Sequence, residues 1–216
     1  MSETVAPEYA RFVADERRAQ RLPAAAAALP EGAAGDTVFI DSERAGALLR
    51  VAARRAAGLF RPSEANAKRE VVWVSGGNEL AVSLDALQVQ FADGLVRLQL
   101  AVRCDQTGTT TVTVSFACGS LNEPTGLYAA TPRRPVGAAL VVTLWGDALV
   151  AFAWQCLLGL ATGMAAALGK DQRGNVLVPV ELVATAKGLV VAPMARHHFA
   201  GSSGLKPAAQ ARKGRP

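Results

Sequence analysis

The sequence predicts an α+β fold, with an antiparallel β-meander sheet packed on two helices. One helix is long and apolar, at about residues 147–169, and the second lies at about residues 42–58. Apolar and polar residues alternate between residues 79 and 118, which is typical of strands with one dry face. Residues 148–168 carry no charge, and the second helix has an apolar face between a capping residue and a glycine.

The chain of 216 residues is long enough for one domain with a core, and half of its residues are hydrophobic. We expect an N-terminal helical arm and linker at 1–35, a single α+β domain at 36–199 and a disordered basic tail at 200–216. The formal charge is +5, and the last sixteen residues supply four basic side chains without an acid: Lys206, Arg212, Lys213 and Arg215. The excess charge therefore belongs to the tail and does not indicate a basic groove.

The two N-terminal helices are predicted from their caps and apolar faces. A short helix is expected over residues 7–22, because Pro7 suits a first turn and an apolar stripe follows it: Tyr9, Phe12 and Val13. Asp41 or Ser42 caps the second helix, and Gly58 provides its end.

The hairpin around Asp93 and Gly94 is predicted by turn chemistry and by residue pairing together. Asp-Gly favours a two-residue type I′ turn, which pairs residues whose numbers sum to 187. Phe91 then lies opposite Val96, and the apolar residues of both strands fall on one face. An earlier strand is expected over residues 71–74.

The strand that follows this hairpin in the meander, over residues 112–118, determines how far apart two cysteines lie. Its apolar side chains share a face with the preceding strand only if paired numbers have an even sum, and the turn favours a sum near 214. Cys118 then lies opposite Val96, on the order of 26 Å along the strand from Cys104. A disulfide needs Cα atoms within about 7 Å, so we expect none between these cysteines.

The second half of the chain is predicted to contain a buried strand, the apolar helix and a final group of strands. Residues 119–137 form a turn-rich connection, which is either functional or contains a missed element. The strand is expected at Ala138–Trp145, and Asp147 caps the helix that follows. Pro179 makes at least one of the last strands an edge or bulged strand, and these strands are expected at 176–180, 181–185 and 188–191.

The apolar segment 148–168 has two possible roles. Its 21 residues are enough to span a membrane, and a span would pack through Gly159, Gly163 and Ala167 at small-xxx-small spacing. Alternatively, the segment is the core helix of a soluble domain, because it is rich in alanine and glycine and patterned strands flank it. Its small residues then let the helix lie close to the sheet. We expect the core helix and keep the span and a partner-facing helix as alternatives.

The sequence predicts no catalytic, cofactor-binding or metal-binding residue. It contains no phosphate-binding loop, nucleophile elbow or dinucleotide-binding glycine pattern. The three cysteines lack Cys-x-x-Cys spacing, and Cys156 lies among apolar residues where a thiol is buried and inert. The adjacent His197 and His198 point to opposite sides of a strand and do not make a two-ligand metal site.

These observations favour a non-enzymatic assembly or adaptor protein that self-associates or belongs to a larger bacterial complex. The candidate interaction residues are Gly159, Gly163 and Ala167 on the apolar helix, Arg133 and Arg134 in the long connection, and Arg50 and Arg54 on the second helix. For the arginines of the second helix, a solvated face is the alternative to an anion-binding face.

Other partners and locations are weighed against this function. A nucleic-acid partner is not expected apart from weak tail contacts, because residues 71–200 are charge-neutral. The first thirty residues contain no signal-peptide pattern, so a cytoplasmic location is expected. Two alternatives stay open. One is a membrane-associated protein using 148–168, and the other is a small apolar-ligand binder with a cavity lined by Trp73, Phe116, Phe152 and Trp154.

Overall fold

The protein is known from a computed structural model, which describes residues 7–18, 37–58, 69–120, 122–123 and 125–195. Its elements, in chain order, are α1 (Pro7–Arg18), β1 (Val38–Asp41), α2 (Ser42–Ala57), β2 (Glu70–Ser75), β3 (Asn78–Ser83), β4 (Gln88–Ala92), β5 (Leu95–Cys104), β6 (Gly108–Ala117), a 3₁₀ helix (Leu127–Ala129), β7 (Thr131–Pro132), α3 (Ala139–Ala167), β8 (Leu177–Thr185) and β9 (Gly188–Ala195). The α+β class is confirmed, with two antiparallel sheets and one long apolar helix.

The strands form a six-stranded sheet and a three-stranded sheet. The order in the larger sheet is β2-β3-β5-β6-β7, and in the smaller sheet it is β1-β9-β8. One edge of β5 is paired with β6 along its whole length. The other edge is divided between β3, which pairs with the end of β5, and β4, which pairs with its beginning. The larger sheet is therefore built around β5, which has partners on both sides.

The β4–β5 hairpin has the predicted register. Phe91 pairs with Val96 and Val89 with Leu98, so the paired numbers sum to 187. Gly94 has φ +65°, as a type I′ turn requires. The apolar side chains of β5 and β6 point into the core on one face, where Leu98, Leu100, Val112 and Val114 are fully buried.

The predicted register between β5 and β6 is wrong by two residues. The pairs sum to 212, so Phe116 lies opposite Val96, and the amide of Cys118 donates to the carbonyl of Gly94. The cause is the turn. Only residues 105–107 separate Cys104 from Gly108, so these two residues lie opposite each other, and Gly108 has a φ angle of +66°. Both cysteines are free thiols, in agreement with the prediction of no disulfide.

The strand expected at Ala138–Trp145 is wrong, because this segment is the beginning of α3. Gly146 and Asp147 therefore lie inside the helix, and the predicted helix start near 147 is also wrong. A short apolar run rich in valine does not by itself distinguish a strand from a buried helix. The helical period appears only over a longer stretch, in which Val141, Trp145, Leu149 and Phe152 are buried three or four residues apart.

The two helices α2 and α3 pack against each other and on the sheets. Asp41 caps α2, and its carboxylate accepts a hydrogen bond from the amide of Arg44 at 2.9 Å. The apolar face of α2 is buried, with Leu48, Leu49 and Ala52 in the core. Gly58 ends the helix in a right-handed conformation. The predicted second helix is therefore confirmed.

The segment after β6 contains elements that the sequence did not reveal. Besides the 3₁₀ helix, β7 pairs with the end of β6, and the amide of Arg133 donates to the carbonyl of Ser115 at 2.8 Å. Further along, Thr113 and Val136 exchange two backbone hydrogen bonds. Much of the predicted turn-rich connection is therefore an additional strand-like edge of the larger sheet.

The C-terminal strands fold into the smaller sheet. The predicted strands at 176–180 and 181–185 form one strand, β8, with an irregularity between Pro179 and Glu181. This strand lies at the edge of its sheet, as the proline predicted. The linker at 19–36, His197 and His198, and the tail at 200–216 lie outside the described residues. The same holds for the end of the first predicted helix, which is described only to Arg18.

Candidate functional site

The small residues of α3 make contacts inside the chain. A Cβ atom on Gly159 would lie 3.2 Å from the Cβ atom of Ala52 on α2. A Cβ atom on Gly163 would lie within 2.8 Å of the aromatic ring of Tyr9 on α1. Ala167 is half-buried beside the core. The predicted small-residue stripe therefore lets two helices, rather than a sheet, approach α3 closely.

Tyr9 attaches α1 to the other two helices. Its side chain is 1% exposed, and its hydroxyl donates to the carbonyl oxygen of Leu48 at 3.1 Å. Burial raises the pKa of this phenol well above its ordinary value, so the hydroxyl stays protonated and remains a donor. Beside it, the guanidinium of Arg44 lies 5.8 Å from the ring centre of Phe12.

The predicted arginine surface of α2 contains an ion pair. Arg54 Nη2 lies 2.6 Å from Asp85 Oδ1, and both side chains are about half exposed. The hydrogen bond from Arg54 lowers the pKa of Asp85, and the charges of Arg69 and Arg50 lower it further. Arg54 is therefore engaged by a carboxylate of the same chain, and Arg50 lies near that carboxylate.

Arg133 and Arg134 are exposed beside the last strand of the larger sheet. They lie between Pro132 and Pro135, neither of which has an amide hydrogen to donate to a further strand. Prolines and charged side chains are features that prevent an exposed strand from pairing with another chain. The position of these arginines and prolines indicates that they prevent another strand from pairing with this edge of the sheet.

An open groove of about 490 Å³ lies between the outer face of α3 and the end of the larger sheet. Its lining is mostly apolar and comes from three separate elements, including Phe116 of β6, Pro132 of β7, and Asp147, Val150, Ala151 and Trp154 of α3. Volumes of roughly 300–1,000 Å³ are usual for ligand sites.

Two aromatic side chains form the main apolar surface of the groove. The rings of Phe116 and Trp154 lie 5.7 Å apart with an interplanar angle of 47°. Phe116 is buried and Trp154 is half-buried. Leu144 lies on the same face of α3 as Ala151, two turns earlier, and is 38% exposed. The apolar surface therefore continues along the helix beyond the groove.

Among the described residues, Asp147 is the single charged one that lines the groove. It is exposed, and within the described part of the chain it forms no ion pair. Sequence reasoning took this residue for a helix cap and so missed its place in a groove. The groove itself joins residues that are far apart in the sequence, although Trp154 and Phe116 were expected to lie near each other.

The four aromatic residues proposed to line an internal cavity instead pack as two pairs. Trp73 contacts Phe152 edge to face at 5.9 Å, and Phe116 contacts Trp154. Cys156 is fully buried as predicted, and burial raises its pKa well above the ordinary thiol range. Burial also raises the pKa of Cys118, to about 11. Both sulfurs are therefore protonated at neutral pH and are weak nucleophiles.

The comparisons with known proteins assign this chain to no family. No family model matches the sequence, and no curated protein or solved structure is significantly similar to it. The chain is an α+β protein with two antiparallel sheets and a long central helix that lines an open groove. By length and hydropathy α3 is able to cross a membrane, and half of its most hydrophobic stretch is buried inside the protein.

Proposed function

We propose that this chain is a non-enzymatic assembly or adaptor protein that binds a partner protein in the groove between α3 and β7. The observation that carries the proposal is the open apolar groove with two aromatic side chains and one carboxylate. The partner is a segment of another protein that places an apolar side chain against Trp154 and a lysine or arginine beside Asp147. The proposed location is the cytoplasm, where three free cysteines remain reduced.

The chemistry of the groove determines what kind of segment binds. Burying one large apolar side chain contributes about 1.5–3 kcal/mol. An exposed ion pair with Asp147 adds at most about 1 kcal/mol. Together these two contacts supply about 4 kcal/mol at most, which corresponds to a Kd on the order of 1 mM, and association also costs translational and rotational freedom. A peptide that binds more tightly therefore buries further apolar side chains along the groove. The apolar anchor supplies most of the affinity, and the cation mainly determines orientation.

A peptide library tests the groove directly. Immobilised full-length protein is used to select from a random twelve-residue peptide library on phage, and the selected peptides are then synthesised. We expect sequences with an aromatic or aliphatic residue next to lysine or arginine. Ala151→Arg places a long cation in the groove and abolishes their binding. Asp147→Asn weakens binding about two- to fivefold, the value of a surface ion pair.

The control is Ala186→Arg, because Ala186 is an exposed alanine in the β8–β9 turn. It adds the same charge at a distance from the groove, and peptide binding stays at the wild-type level. Peptides that bind Ala151→Arg as tightly as they bind the wild-type protein, or no selected peptides at all, would refute the groove as a protein-binding site.

A second candidate function, a membrane-associated protein, is favoured by the length and hydropathy of α3. Insertion of α3 into a membrane requires this helix to separate from α2 and from the sheets. The measurement is the distribution of the wild-type protein between soluble and membrane fractions without detergent. Recovery in the soluble fraction supports the adaptor, and recovery only with detergent supports the membrane protein.

A further inference from the structure

The two terminal strands of the larger sheet differ in how they are protected. β7 has only two residues, and prolines and arginines surround it: Pro132, Arg133, Arg134 and Pro135. β2 at the opposite end has six residues, Glu70–Ser75, and contains no proline, lysine or arginine. Unprotected, apolar edge strands pair with other strands, and proteins normally prevent this with the residues found at β7.

The turn between β2 and β3 shows which backbone groups of β2 face outward. Gly76 and Gly77 have φ angles of +56° and +81°, which fits a type I′ turn closed by Ser75 and Asn78. Hydrogen-bonded pairs then recur at every second residue, so Val71, Trp73 and Ser75 bond to β3. The amide and carbonyl groups of the three residues between them point to the outer edge, and these are Glu70, Val72 and Val74.

The outer edge of β2 is also apolar. Within the described residues β2 pairs only with β3. Val74 is 72% exposed, the largest exposure among the exposed large hydrophobic residues of the described chain, and Val72 is half-buried. On the opposite face, Trp73 packs on Phe152 of α3, which holds the strand against the core. The strand therefore lies against the core, and no other strand of the described residues pairs with its outer edge.

We propose that a second copy of this chain pairs with β2 along this edge, antiparallel, with the twofold axis at Val72. In this register Val72 lies opposite the partner's Val72, and Glu70 lies opposite the partner's Val74. The three outward-facing residues of each copy then exchange about six backbone hydrogen bonds. The two larger sheets become one sheet that continues across the dimer.

Charge and side-chain pairing identify a second copy as the occupant. Glu70 is the single charged residue of β2, and this register places it opposite a valine rather than opposite another carboxylate. Its carboxylate already lies 3.5 Å from Arg103 of the same chain. Trp73 lies opposite the partner's Val71, an aromatic and β-branched pair of the kind that stabilises antiparallel strands. The strand is therefore complementary to itself.

Light scattering coupled to size-exclusion chromatography tests the dimer. We expect the wild-type protein at micromolar concentration to have a mass of 44.8 kDa, twice the 22.4 kDa of one chain. Val72→Glu places two carboxylates directly opposite each other at the twofold axis, and Val72→Pro removes an outward amide. Both variants become monomers with an unchanged far-UV circular dichroism spectrum. Val176→Glu is the control, because it changes an exposed valine elsewhere and keeps the dimer.

A cross-link tests the register. Paired residues that exchange both hydrogen bonds have Cα atoms about 5.5 Å apart, which suits a disulfide. Val72→Cys therefore gives a covalent dimer after mild oxidation, while the wild-type protein, with its three native cysteines, does not. A monomeric wild-type protein, or a dimer that survives Val72→Glu, overturns the proposal. Ala151→Arg in the groove leaves the dimer intact, so failure of one proposal is distinguishable from failure of the other.

Discussion

We expect Gly163→Ala to destabilise the protein when the side chain of Tyr9 is present and to stabilise it when that side chain is removed. The new Cβ atom would lie 2.7 Å from the ring carbon of Tyr9 that bears the hydroxyl. The ring has little freedom to withdraw, because it is 1% exposed and its hydroxyl is bonded to Leu48. Overpacking of this kind costs about 1–3 kcal/mol. Alanine also gains about 1 kcal/mol of helix propensity over glycine, so Gly163→Ala destabilises the protein by about 1 kcal/mol.

Removing the ring removes this conflict. Tyr9→Ala alone destabilises the protein by about 3–5 kcal/mol, the usual cost of deleting a buried aromatic side chain. In that background the Cβ atom at position 163 enters empty space. Gly163→Ala then stabilises the protein by about 1 kcal/mol through helix propensity alone. The two substitutions are therefore coupled by about 2 kcal/mol, and the sign of the effect reverses.

Urea unfolding of the wild type, both single variants and the double variant measures this coupling. All four proteins are compared at one concentration, because self-association changes apparent stability. Gly159→Ala is the matched control: its new Cβ atom approaches Ala52 at 3.2 Å and does not touch Tyr9, so its effect is the same in both backgrounds. A Gly163→Ala effect that is equal with and without Tyr9 would refute the packing of α1 on α3.

Three further predictions concern charge, thiol reactivity and a turn. Arg54→Gln raises the pKa of Asp85 toward its ordinary value, measured by carboxyl NMR titration. The small stabilisation from this pair in the wild type is present above the unfolded-state pKa and is lost as pH falls through the lowered folded pKa. The rate at which Cys118 reacts with a thiol reagent rises about tenfold with each unit of pH increase up to its pKa of about 11, whereas Cys156 reacts only after unfolding. Gly94→Ala destabilises the protein by about 1–2 kcal/mol in urea unfolding, because its φ is +65° and its Cβ atom would lie 3.3 Å from a carbonyl oxygen.

These predictions have matched controls and contrary outcomes. Arg97→Gln removes an exposed arginine from the sheet and leaves the Asp85 titration unchanged. A Cys156 thiol that reacts in the folded protein contradicts its burial. Gly76→Ala also has a positive φ but meets no atom within 4 Å, so it costs less than Gly94→Ala. Equal costs at the two glycines contradict the close contact with the carbonyl of Cys118.

Local turn chemistry explains which parts of the fold were predictable. Asp93-Gly94 and the alternation on both sides of it impose the same pairing, so the β4–β5 register followed from the sequence. The capping of α2 by Asp41 is equally local. The β5–β6 register was wrong because the alternation of apolar residues allows pair sums of 212 and 214 alike, and only the length of the turn distinguishes them. The sum of 214 requires five residues in the turn, and the structure has three.

The groove and the free edge depend on contacts that sequence patterns do not contain. Phe116, Pro132 and Trp154 belong to three elements whose approach is decided by the packing of α3 on the sheet. The strand predicted over 138–145 also concealed the first turns of α3, and with them the outer face that carries Asp147. For β2 a signal was present. The lack of proline and lysine in Glu70–Ser75 is visible in the sequence, but it becomes meaningful only once β2 is known to be a terminal strand.

The pairing of β1 with β9 has a consequence for folding during synthesis. Val38 pairs with Val191, so more than 150 residues separate the two partners along the chain. β1 has no other strand partner among the described residues and carries Val38 and Ile40, which are buried in the final structure. During synthesis β1 therefore stays without its strand partner until β9 has emerged from the ribosome, so the smaller sheet is completed only after nearly all of the described chain has been made.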